Sequence, residues 1–168
     1  MTSPTILIAC IGNIFLGDDA FGVEVARLLA ARPALPGVRV VDYGIRGLDL
    51  VYAILDGYDV TILVDATARG GEPGTLYLIE PEASEADEPA MVEAHAMSPE
   101  SVLRLVRSMG GTPGRVLVVG CEPETLGPED EGLMGLSEPV QAALGEAVSM
   151  IESLVATIRN EPRPTAVG

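Results

Sequence analysis

Five short apolar runs mark the chain: Ile6–Cys10, Val38–Val41, Val60–Val64, Leu76–Ile79 and Val116–Val119. Val, Ile and Leu dominate most of them, the pattern of strands covered on both faces. Between them the apolar spacing lengthens to a helical period over Ala20–Ala31, Leu48–Leu55, Pro99–Met109 and Glu138–Ile158. Ser98 precedes Pro99, and Ser137 stands two residues before Pro139, so each of the last two helices has a capping serine and a proline in its first turn.

This alternation predicts an α/β fold: a three-layer α/β/α sandwich around a five-stranded, mostly parallel sheet. One link is different. Leu76–Ile79 follows the third strand after the turn-rich "ATARGGEPGT", with no room for the helical crossover that parallel neighbours need. It is therefore expected as an antiparallel edge strand. Residues 80 to 94 are acidic and poorly periodic, which predicts a surface loop or a loose helix. No internal repeat or second domain is visible, so residues 1–160 are expected to form a single domain and 161–168 a flexible tail.

At 168 residues, 48% of them hydrophobic, the chain can bury roughly 70% of its unfolded surface. The net charge narrows the choice of partners. With 25 acidic and 10 basic residues the formal charge is -15, and all the basic residues are arginines. Phosphate backbones need clustered cations, so nucleic acid is excluded as a partner, whereas a cationic protein segment or a metal ion suits this surface. Cys10 and Cys121 each end a predicted strand without a Cys-x-x-Cys partner, consistent with two buried free thiols in a reducing cytoplasm. No apolar run reaches the ~18 residues of a membrane span, and the first ten residues lack the basic cluster of a signal peptide. The expectation is a cytoplasmic protein with no membrane insertion.

In open α/β sheets, ligands gather beyond the carboxyl ends of the strands. The residues at that edge are Gly12, Asn13, Asp18 and Asp19 after the first strand, Asp42 after the second, Asp65 after the third, and Glu122 and Glu124 after the fifth. Each acid also has an ordinary structural reading. Asp19 can cap a helix; Asp42 and Asp65 can close Asx-turns; Glu122 and Glu124 can be solvated loop charges. Yet converging carboxylates repel one another unless a cation joins them. His95, the single histidine, lies in a loop before the Ser98-capped helix, where it could equally be a plain surface or core residue. Two carboxylates and an imidazole would make a three-point site for a borderline transition metal.

Other chemistries fit poorly. The chain lacks a Gly-x-x-x-x-Gly-Lys-Ser/Thr loop, and Gly12, Gly17 and Gly22 lack dinucleotide-binding spacing. Asp18 and Asp19 would also repel a pyrophosphate. No organic cofactor is expected. There is no Gly-x-Ser-x-Gly elbow, and neither cysteine has an evident histidine partner, which argues against a Ser or Cys hydrolase.

"GNIFLGDDAFG", "ILVDAT" followed by "PGT", and the isolated His95 before a helix together resemble the hydrogenase maturation endopeptidases. "DYGIRG" after the second strand and "EPETL" with "GLSEPV" after the fifth extend the resemblance from Ile6 to about Ile158. It implies an enzyme that removes the C-terminal extension of a nickel–iron hydrogenase large-subunit precursor, its partner. Residue by residue, it implies that Asp19, Asp65 and His95 are the metal ligands and catalytic residues, and that Asp42 takes part in substrate recognition. Many members carry Glu where this chain has Asp19, whose shorter arm draws the carboxylate back by one methylene. The nickel would be supplied by the substrate, already inserted, as the recognition handle. Asp18 would brace the turn, and the neighbouring glycines would let the backbone approach a ligand. The competing readings are a non-enzymatic metal-binding chaperone and an adaptor of the same fold.

Overall fold

Burial on both faces is what turns the first apolar run into a central strand. In the computed structural model, which describes residues 3–81, 98–126 and 134–161, β1 (Ile6–Ile11) is buried along its whole length. Ile6, Ile8 and Cys10 face one side, against α1 (Phe21–Ala30) and α4 (Glu138–Arg159). Leu7, Ala9 and Ile11 face the other, against α2 (Gly47–Leu55) and α3 (Pro99–Ser108). Alternate residues of one strand thus feed two separate cores, the expected three-layer arrangement.

The sheet has the order β2-β1-β3-β5-β4. β2 (Val38–Gly44) and β3 (Val60–Ala66) flank β1 in parallel, and β5 (Arg115–Cys121) runs parallel to β3. β4 (Leu76–Ile79) lies antiparallel on β5 at the edge, as its helix-free link predicts. β2, β3 and β5 run two or three residues further at their carboxyl ends than the apolar runs alone suggest, so Asp42 and Asp65 lie within β2 and β3. Backbone pairing, rather than side-chain polarity, sets where a strand stops. The crossover from β1 leads one way to β2, and the next returns past β1 to β3. The gap between the ends of β1 and β3 is therefore the topological switch point, where this class of sheet opens a crevice.

Gly22 lies against the carbonyl oxygens of Ile11 and Val64, and Gly12 against that of Asp19, so a β-carbon at either position would collide with backbone. Gly22 thus seats α1 on the ends of β1 and β3, and Gly12 lets the turn that carries Asp19 pack on the end of β1. Ser98 caps α3 in a reciprocal box with Ser101, as expected. Ser137, although at the N-cap of α4, makes no capping bond with its side chain. Its hydroxyl is used elsewhere. Most of residues 80 to 94, together with the tail from 162 onward, fall outside the described residues.

Candidate active site at the sheet switch point

After β1 the chain crosses a short loop and enters a single 3-10 turn, Gly17–Ala20, before α1. The turn sends its two adjacent acids in different directions. Asp18 is fully buried and accepts four hydrogen bonds: from Glu124 N–H (2.8 Å), Thr125 N–H (3.1 Å), Ser137 N–H (2.7 Å) and the Ser137 hydroxyl (2.7 Å). Its own N–H donates to the Thr125 carbonyl at 2.9 Å. Burial pushes the Asp18 carboxyl up, but the donors of Ser137, Thr125 and Glu124 outweigh it and hold the group below the usual range. Asp18 thus ties the turn after β1 to the loop after β5 and to the start of α4. The bracing role read from the sequence is borne out, and Ser137 is part of it.

Asp19 is only half-buried. It caps no helix, because the residue preceding α1 is Ala20. Its carboxylate accepts the Asn13 N–H at 3.0 Å, while burial holds its pKa above the ordinary value. Across the switch point, Asp65 is 7% exposed. Burial raises its pKa well above the usual range; Asp19 and then Glu100 add to the rise, and the Ala66 N–H works against it. Among the described residues, the charges that act on Asp65 are both negative. Two carboxylates from distant parts of the chain thus come within electrostatic reach of each other, an arrangement that favours a cation or a shared proton.

Asp65 lines a cleft of about 550 Å³ with Thr67, Arg69, Pro81, Ser98 and Glu100. Pro81 and Ser98 bracket the segment that carries His95, which lies outside the described residues. Among the described residues, no three His, Cys, Asp or Glu side chains converge as an ion-holding group. Glu100 was not singled out by sequence reasoning, although a signal exists. The N-terminal turn of a helix that precedes a parallel strand shares an edge with the strands' carboxyl ends.

The remaining edge acids divide. Asp42 is exposed and accepts the Gly44 N–H at 2.8 Å with Oδ1, the Asx-turn reading, and Gly44 takes a φ of +55° there. Glu124 is exposed, as a solvated charge should be. Glu122 is a correction: it is buried rather than solvated, and its Oε1 accepts Arg69 N–H (2.8 Å), Gly71 N–H (2.9 Å) and the Tyr77 hydroxyl (2.8 Å). Hydrogen bonding, led by Arg69 N–H, lowers its pKa despite the opposing effect of burial. Because the folded-state value is depressed, its contribution is present above the ordinary Glu value and fades as pH falls through the folded value. Glu122→Gln should therefore flatten the loss of thermal stability between about pH 5 and pH 3. Melting curves with the same slope in both proteins would contradict this.

Both cysteines are buried and unpaired. Burial raises both thiols; Cys121, with Asp18 and Glu122 adding their charge, is pushed up to about 11. Neither thiol is a nucleophile near neutral pH.

The family model for HycI-type hydrogenase maturation protease matches residues 23–154. The hydrogenase expression/formation protein HoxM of Azotobacter vinelandii is 38% identical over 154 residues, covering 88% of this chain and 70% of its own. The hydrogenase 2 maturation protease of Escherichia coli is 31% identical over 156 residues, covering 92% and 90%. The solved structure of the E. coli hydrogenase maturating endopeptidase HybD superposes with a TM-score of 0.71 at 28% identity, covering 91% of this chain and 93% of its own. The chain belongs to the hydrogenase maturation proteases, and is a hydrolase of that family.

Proposed function

We propose that this protease removes the C-terminal extension of a nickel–iron hydrogenase large-subunit precursor once nickel is in place, and that the substrate's own nickel is its recognition handle. Asp19, Asp65 and His95 would engage that ion and carry the catalysis, with Asp42 shaping the part of the surface that meets the substrate. The observation that carries this reading is the Asp19–Asp65 pair at the switch point, where among the described residues the charges acting on Asp65 are both negative. A metal arriving with the substrate would relieve that repulsion, and a bound cation can polarise a scissile carbonyl or acidify a water.

His95 is included on the residues that flank it. Ser98, three positions later, lines the same cleft as Asp65, and three residues span at most about 11 Å. Two hard carboxylates and one imidazole would hold a free ion only modestly, but would complete the shell of one already held by substrate thiolates. We place the reaction in the cytoplasm, where two unpaired buried thiols are at home. No described helix is long and apolar enough to cross a membrane.

The test is incubation of the purified protein with precursor prepared with and without nickel. Shortening of the nickel-loaded form alone is expected, and His95→Ala should lose it while its thermal stability shifts by no more than ~0.5 kcal/mol. Efficient cutting of nickel-free precursor would overturn the checkpoint. Binding without shortening would leave a metal-binding chaperone instead.

A further inference from the structure

Beside the carboxylate pair lies a surface that the chemistry does not explain. Phe15 and Ile45 are 58% and 67% exposed, and Ile14, Leu48 and Tyr52 are also exposed. All five belong to the loop after β1, the loop after β2 and the α2 helix that follows it. The two loops run side by side, since Gly12 N–H donates to the Gly44 carbonyl at 3.0 Å. Leu48 and Tyr52, four residues apart, share one face of α2. Isolated exposed hydrophobics are ordinary on any protein, but five of them gathered on two adjoining loops and the helix that follows mark an interaction site.

Neither loop is free to fold these side chains inward. Asn13 Oδ1 accepts the Phe15 N–H at 2.9 Å, and the Leu16 N–H donates to the Asn13 carbonyl at 3.2 Å. In the second loop, Arg46 donates from Nη2 to the Asp42 carbonyl (2.7 Å) and from Nε to the Tyr43 carbonyl (3.3 Å), with its guanidinium 5.9 Å from the Tyr43 ring centre. Asp42 closes its turn on Gly44. Both loops are thus braced by their own polar groups, with apolar tips turned to water. Such preorganisation lowers the entropy lost when a partner binds.

The same bracing connects the patch to the reaction site, because Asn13 N–H donates to the Asp19 carboxylate. Around the patch, Asp19 and Asp42 supply negative charge, while Arg46 and Asp49 form an ion pair and Arg46 also donates to backbone carbonyls. We infer that Phe15 and Ile45, with Ile14 and Leu48 beside them, form the docking surface for an apolar, net-basic segment of the precursor polypeptide next to the scissile bond. The inference rests on the protease reading for the identity of the partner. Asp42 then acts as a positioning residue, holding the turn that presents Ile45.

The experiment compares wild-type protein, the double variant Phe15→Ser/Ile45→Ser, and Leu78→Ser, an exposed leucine on the opposite edge strand. Binding of full-length nickel-loaded precursor is measured by interferometry, and cleavage is followed in parallel. The double variant should bind at least about tenfold more weakly and show a matching rise in KM, with kcat and melting temperature near wild type. Leu78→Ser should behave as wild type, and raising salt from about 50 to 500 mM should weaken wild-type binding. Unchanged binding in the double variant, equal weakening in Leu78→Ser, or salt-insensitive association would overturn the docking surface. If the wild type binds through Phe15 and Ile45 but never cuts, the surface stands and the protease reading fails. If it cuts and the double variant retains wild-type affinity and KM, the reverse holds.

Discussion

Asp65→Asn is expected to lose precursor processing by about 10³-fold or more while folding at least as stably as the wild type. The two halves of this result have one cause. Asp65 is almost wholly buried, and among the described residues the charges that act on it, Asp19 and Glu100, have its own sign. Keeping a carboxylate there costs the folded state, and a neutral amide of the same shape removes the repulsion. A gain of about 1–2 kcal/mol is therefore expected at neutral pH, of the kind seen when a strained functional group is neutralised. Activity moves the other way, because the amide cannot supply the charge that a cation on the substrate would meet. Thermal melts and a processing assay on one preparation check both halves. A variant that is markedly less stable, or one that still processes precursor at the wild-type rate, would show that Asp65 is a structural residue.

Asp18→Asn, one residue from the proposed ligand Asp19, should do the opposite and fail through folding. Its carboxylate receives four donors, three of them backbone N–H groups, and has no other group to hand them to. An asparagine keeps the shape but turns an NH2 toward donors, leaving at least one buried amide unpaired and one charged hydrogen bond lost. The cost is about 3 kcal/mol, which for a chain of this length lowers the melting temperature by roughly 6–12 °C. At a temperature where the variant is still folded, the Asp19–Asp65 pair should remain in place and processing should persist. Loss of processing without loss of stability would mean that Asp18, not its neighbour, takes part in the chemistry. The contrast between adjacent acids is the sharpest check on how roles are divided in the turn.

Much of this is legible in the amino-acid sequence. The apolar runs located all five strands, and the helix-free "ATARGGEPGT" link identified β4 as the antiparallel edge. The placement of Asp19 and Asp65 at strand ends followed from the rule that ligands collect at the carboxyl edge, and the structure brings these two within electrostatic reach of each other. Where reading failed, the missing quantity was burial. Glu122 looks like a solvated loop acid in sequence, because nothing nearby announces that the loop at Arg69 and Gly71, together with Tyr77, folds over it. Ser137 has every local mark of a helix cap, yet its hydroxyl serves Asp18 from 119 positions away.

The sequence by itself determined the order and type of the elements, the parallel sheet and the edge at which acids gather. Periodicity and turn chemistry are local, and each residue carries them wherever it is placed. Only the tertiary structure decided which acids are buried and what each one meets. Asp18 became a brace and Asp19 one of two carboxylates that act on each other, although they are neighbours, because one side chain found backbone donors from the far end of the chain and the other a second carboxylate. The free energy of a buried charge depends on its partners and on the exclusion of water, and both are properties of the packed fold.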